Sequence, residues 1–213
     1  MINKIKNWLR LNNCKKELSA YEKIDNLFDS LSEDIVHLQI GEDLVPFGES
    51  IVELISSLRE EIKEECGFIL PPVRINEGAY IQENEIVIHI RQKRIKNIYV
   101  IPNEEGIHEE LYETLKTVIY EYLDKIFSNE VAEKYINTVQ KNNSWLIWNL
   151  TNVIPVTDIK TILVDIINKG KSINNINFVF EQIGKLVLSD GSYRDCSKNR
   201  NPHVIAKQVA KSL

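Results

Sequence analysis

Apolar residues along this chain repeat first at helical spacing and then at strand spacing. Residues 2–12 place Ile2, Ile5, Trp8 and Leu9 on one helical face, with Lys4, Lys6 and Arg10 elsewhere, the pattern of a short amphipathic helix. Leu18, Tyr21, Ile24, Phe28 and Leu31 predict a second helix over 17–31. Ser32-Glu33-Asp34 breaks that pattern, and residues 35–40 read as a strand. Ile51, Leu54, Ile55, Leu58 and Ile62 then predict the inward face of a helix over 48–66, its other side carrying Glu53, Arg59, Glu60, Lys63 and Glu64.

The stretch from Gly67 through Phe68, Ile69, Leu70, Pro71, Pro72, Val73 and Arg74 to Ile75 ends that helix. Adjacent prolines exclude helix and hold the preceding residue extended. Gly67 is the easiest place for a left-handed cap. Gly67, Pro71, Pro72 and Arg74 are therefore expected to form a fixed helix-to-strand corner, a scaffold feature. Residues 73–75 read as a strand, Glu77-Gly78 as a turn before Tyr80 and Ile81, and 85–92 as a longer strand. In that strand Ile86, Ile88 and Ile90 share one face, with Val87, His89 and Arg91 on the other. A further short strand is expected at 98–101, then a helix over 109–127 carrying Leu111, Leu115, Val118, Ile119, Tyr122, Leu123 and Ile126.

From Asn129 onward the pattern is helical. Trp145, Ile147 and Trp148 are expected to form an aromatic knot that seats one helix on the next. Residues 157–168 and 172–188 predict a helix pair, with Thr157 and Ser172 as N-caps and Gly170 in the turn. Pro202 opens a last helix at a position where proline is tolerated. The order is α+β: a small mixed sheet with helices packed on one face, followed by an all-α helical domain. The expected divisions are an N-terminal helical arm at 1–33, an α+β domain at 34–128 and a helical domain at 129–213.

The chain of 213 residues is 43% hydrophobic and 27% charged, with a net charge of −5. That is an ordinary globular balance, and no apolar run approaches the ~20 residues of a membrane span. No secretory signal pattern opens the chain, so a cytoplasmic location is expected. An acidic chain needs a local basic patch to hold nucleic acid; only the first sixteen residues and 91–96 are locally basic. Cys14, Cys66 and Cys196 have no metal-site or disulfide spacing, and reduced thiols are expected, with Cys66 packed on its helix.

Candidate chemistry is sparse. His37, His89, His108 and His203 are isolated in sequence, so no metal site is expected. Glu60-Glu61 and Glu64-Glu65 read as a solvated helix face paired with neighbouring cations, such as Lys63. No GxSxG, GxGxxG or phosphate-binding loop occurs, and Ser189 to Ser192 read as a turn. No catalytic residue and no cofactor are assigned. The helix pair from Thr157 to Leu188 has the rhythm of a helix-turn-helix, with Asn174, Asn175 and Asn177 able in principle to read base edges. It lacks arginine, which favours structural pairing; a nucleic-acid-binding regulator stays as the alternative. An enzyme working between the two domains is a third reading. Ile5, Trp8 and Leu9, with Trp145 and Trp148, are the candidate partner-binding residues.

One family has a similar order of motifs. Leu38-Gln39-Ile40-Gly41 with Leu44-Val45-Pro46, then Leu58-Arg59-Glu60-Glu61-Ile62, the Pro-Pro-Val-Arg-Ile corner and Asn84 to Ile90 come in this sequence. They resemble the start of the cytoplasmic domain of the FHIPEP family, the export-gate proteins of flagella and type III secretion systems. The stretches 131–142, 149–153, 157–170 and 172–187, with the closing Lys198-Asn199-Arg200-Asn201-Pro202 helix, resemble that family's later helical subdomain. The resemblance covers roughly 34–213. It implies a shortened soluble form lacking the membrane domain, one small subdomain inserted after Ile101, and the last subdomain. It also implies a non-enzymatic interaction module or scaffold that docks protein partners and self-assembles. Export chaperone–substrate complexes or a membrane component are the implied partners. In the family the linker ahead of this domain contacts the adjacent subunit, and residues 1–33 stand in the equivalent place.

Overall fold

The structure is a computed structural model that describes residues 34–188 and 201–213. The chain divides into two units, Met1–Glu33 and Asp34–Leu213, and every described residue lies in the second. The predicted arm helices, with Ile5, Trp8 and Leu9, and the turn at Ser189 to Ser192 lie outside the described residues.

Strand β1 (Val36–Ile40) leads through a 3-10 turn at Glu42–Phe47 into helix α1 (Gly48–Cys66) and back through the proline corner to β2 (Val73–Glu77). Strands β3 (Glu85–Ile90) and β4 (Lys93–Tyr99) follow as a hairpin. The sheet order is β2-β1-β3-β4, with β1 and β2 parallel and the other pairs antiparallel. This is the expected mixed α+β sheet. Val36, Leu38, Ile40, Ile86, Ile88 and Ile90 fill one face at no more than 4% exposure, in one apolar core with Leu54, Leu58 and Ile62 of α1. Strand alternation sends every second residue to that face.

The hairpin differs from expectation. Residues 85–92 do not continue as one strand, because Arg91 and Gln92 turn the chain at φ 48° and 62°. Both central residues of a tight hairpin turn adopt positive φ, normally marked by Asn or Gly. Arginine and glutamine give no such signal, so β4 begins at Lys93 rather than at 98.

Helix α2 (Glu104–Glu121) likewise starts before the expected 109, because the Asn103 side chain accepts from Gly106 N–H at 2.7 Å. Tyr122 interrupts it before the single turn α3 (Leu123–Ile126). Then come α4 (Asn129–Asn142), α5 (Ser144–Val153), α6 (Val156–Asn168), α7 (Ile176–Leu188) and α8 (Pro202–Ser212). Helix α6 is preceded by Pro155 without a side-chain cap, so Thr157 lies inside it rather than capping it. Ser172 accepts from Asn174 N–H at 3.1 Å in a turn, and α7 begins four residues later than expected. Pro202 opens α8 as expected, with Asn201 as the cap.

Candidate interaction surfaces

Among the described residues, helix α5 carries the most exposed aromatic pair of the helical segment. The Asn143 side chain caps it, accepting from Leu146 N–H at 3.1 Å. The helical repeat turns Leu146, Ile147 and Leu150 inward, each buried to 6% exposure or less, while Trp145 and Trp148 stay 70% and 65% exposed. The expected aromatic knot is therefore corrected. Residues 145 and 148 share a helix face opposite 146 and 150, so aliphatic side chains seat the helix and both indoles face outward. A tryptophan exposes ~200 Å² when bare. Covering what these two leave open would remove roughly 250 Å² from water, a gross gain of about 6 kcal/mol before the losses of association.

The proline corner is a buried joint. Gly67 closes α1 in the left-handed region at φ 79°, its N–H bonded to Lys63 O at 2.9 Å. A Cβ there would lie 2.5 Å from Asn174 N and 2.8 Å from Ile173 C, so the loop before α7 packs directly on this glycine. The Tyr135 hydroxyl of α4 donates to Gly67 O at 2.7 Å and accepts from Ile69 N–H at 2.9 Å. Burial pushes the Tyr135 pKa up to about 12. Phe68, Phe127 and Tyr135 stack in series, with centroids 5.3 and 5.6 Å apart. Ile173 N–H donates to Cys66 O at 2.8 Å, and the Asn174 amide donates to Glu64 O at 2.9 Å. Pro71 accepts weakly from Arg59 at 3.4 Å, Pro72 is exposed, and Arg74 pairs with Asp34 at 2.9 Å. The corner is thus where α1, α4 and the α6–α7 loop meet. Nothing in the local sequence announced Tyr135, although a lone tyrosine on the inward face of an amphipathic helix needs a polar partner for its hydroxyl.

The glutamate face of α1 behaves as expected at Lys63, which pairs with Glu60 at 2.9 Å. The stronger cation comes from α2. Lys116 bridges Glu61 at 2.5 Å and Glu65 at 2.7 Å, and those bonds raise its pKa to about 12. Tyr120 donates to Glu65 at 2.8 Å. The bonds from Lys116 and Tyr120 lower the Glu65 pKa. Cys66 is buried as expected, its thiol bonded to Ile62 O at 3.1 Å and its pKa raised by burial.

Asn174 and Asn175 are already engaged, the first with Glu64 and the second accepting from Phe178 N–H at 3.3 Å. His37 and His89 face each other across β1 and β3, His108 stacks on Tyr112, and His203 bonds Asp165 at 2.6 Å. Among the described residues no group of three or more His, Cys, Asp or Glu could hold a metal ion, and no helix is long and apolar enough to cross a membrane.

Residues 6–110 match the model of the FHIPEP family. No curated protein matches the sequence. Solved structures share the fold over most of the chain. The Chlamydia pneumoniae CdsV protein superimposes with a TM-score of 0.67 at 10% identity, covering 84% of this chain and 70% of CdsV. The nonameric EPEC SctV-C gives 0.64 at 13%, covering 84% and 64%. The Shigella flexneri MxiA protein gives 0.61 at 13%, covering 84% and 63%. CdsV has also been solved in complex with CdsO.

Proposed function

From a chain whose residues 6–110 match the FHIPEP family model, we propose a non-enzymatic interaction module of the type III export-gate kind, which docks protein partners and self-assembles. Residues 1–33 act as a docking arm, with Ile5, Trp8 and Leu9 as its contact residues. Residues 34–128 and 129–213 act as an α+β body and a helical body. Export chaperone–substrate complexes or a membrane component are the partners this reading implies, and the cytoplasm is its place of work.

The observation that carries the docking role is the indole pair of α5, exposed on a helix whose other side is fully packed. Rigidly held aromatic groups give contact area at low entropic cost, the usual make-up of interface anchors. Assembly is supported by the shared fold with SctV-C, solved as a nonamer.

The test is the mass in solution, by light scattering, of three proteins: the full chain, a form lacking residues 1–16, and the double variant Trp145→Ala/Trp148→Ala. The full chain should form an oligomer that dissociates on truncation. The tryptophan variant should keep its helical circular dichroism and lose association or partner capture. A full chain that is monomeric at every concentration rules out self-assembly. A tryptophan variant that associates and captures partners normally rules out the α5 surface.

A further inference from the structure

The face of the sheet opposite the core carries a row of residues crossing all its strands. The register pairs Arg74 of β2 with His37 of β1, His37 with His89 of β3, and His89 with Arg94 of β4. Side chains in such a row stand about 5 Å apart. The two imidazoles stack, with centroids 5.3 Å apart and planes 26° from parallel.

The charged groups around the pair are already committed. On β2, Arg74 pairs with Asp34 at 2.9 Å, and on β4, Arg94 pairs with Glu85 of β3 at 2.6 Å. His37 Nε2 bonds the Asn76 side-chain oxygen of β2. Neither imidazole has a carboxylate partner among the described residues. His89 Nδ1 is buried without a hydrogen-bond partner. A proton there would sit with no acceptor of normal geometry, against a second imidazole and near a guanidinium. Burial, then His37, then Arg94 hold the His89 pKa below its ordinary value, with the Val87 backbone acting in the opposite direction.

The ladder is also irregular at this point. The β3–β4 register shifts between Ile88 and His89, β4 is an edge strand, and its hairpin turns on two non-glycine residues of positive φ.

We propose that His89, stacked on His37, is a proton switch: its neutral ring holds the row together, and its protonation in mild acid loosens β4 and its hairpin from the sheet. This stands apart from the docking role. The sign follows from linkage. With the row open, His89 regains its ordinary proton affinity, so the open form binds the proton more tightly. Stability is full above pH ~6.5. It falls as pH drops below that value, with the opening equilibrium growing by up to about tenfold per pH unit for the one proton on His89. The fall ends once the folded-state pKa is passed.

The experiment is a histidine-ring NMR titration of the full chain from pH 8 to 5, with thermal unfolding across the same range. The expected result is that His89 titrates below its ordinary range and that melting temperature declines through that window. His89→Gln and His37→Gln should each flatten the decline. If His89 titrates at or above pH ~6.5, or both variants keep the wild-type pH dependence, the switch is wrong. The titration needs only the wild-type chain, so it decides the matter even if a variant fails to fold.

Discussion

Replacing Tyr135 with phenylalanine isolates the joint on which the proline corner rests. The ring and its 5.6 Å stack on Phe127 are kept; only the hydroxyl goes. Its donation to Gly67 O at 2.7 Å and its acceptance from Ile69 N–H at 2.9 Å are both lost. A typical hydrogen bond contributes about 1 kcal/mol net, and a buried group left unpaired costs about 1–3 kcal/mol. The Gly67 carbonyl is in a buried bond, whereas Ile69 is half exposed and water can replace part of its loss. The expected cost is therefore about 2 kcal/mol, and for a chain this size that lowers the melting point by roughly 4–8 °C.

Urea and thermal unfolding at pH 7, followed by circular dichroism, would measure it. A second signature separates the hydroxyl from general loosening. The folded-state pKa is raised from 10.0 to about 12, so the stabilisation is present below pH 10 and is lost as pH rises from 10 through 12. Tyr135→Phe should remove part of that alkaline decline. A loss under about 0.5 kcal/mol, with the alkaline limb unchanged, would refute the role assigned to this hydroxyl.

Gly67→Ala should be more damaging, since it combines a left-handed residue with a Cβ 2.5 Å from Asn174 N; a loss of about 2–4 kcal/mol by urea unfolding is expected. Gln92→Gly should stabilise by roughly 0.5–1 kcal/mol, because glycine adopts φ 62° without strain; a loss would mean that the glutamine side chain contributes a contact of its own. Lys116→Ala should cost under about 1 kcal/mol at pH 7, because Glu61 and Glu65 are more than one-third exposed and solvent screens the pair. The Glu65 carboxyl is held below its ordinary pKa, so its contribution is present above that value and lost as pH falls. Lys116→Ala should accordingly weaken the acid-side decline in a urea series.

Part of this molecule was written in short stretches of sequence. The stop of α1 at Gly67, the extended entry after Pro71-Pro72, the shared face of Ile86, Ile88 and Ile90, and the start of α8 at Pro202 all follow from neighbours along the chain. Glycine and proline restrict their own dihedrals, and side-chain periodicity reports the local backbone.

Tertiary structure decided the rest. The turn at Arg91 and Gln92 has no glycine to mark it; strand pairing imposes it, so the sequence pattern alone puts the start of β4 too late. The outward tryptophans overturn the aromatic knot alone: aromatic content suggests burial, while the phase of α5 is set by Leu146, Ile147 and Leu150 packing inward. Tyr135 reaches a carbonyl 68 residues away, and Lys116 reaches carboxylates 55 and 51 residues away. The His37–His89 row exists only once β1 lies antiparallel to β3. Local dihedral and periodic constraints act between neighbours and can be read in order along the chain. A buried hydroxyl or a partly buried ammonium takes whichever partner the folded core brings within 3 Å, and that choice is made only when distant segments meet.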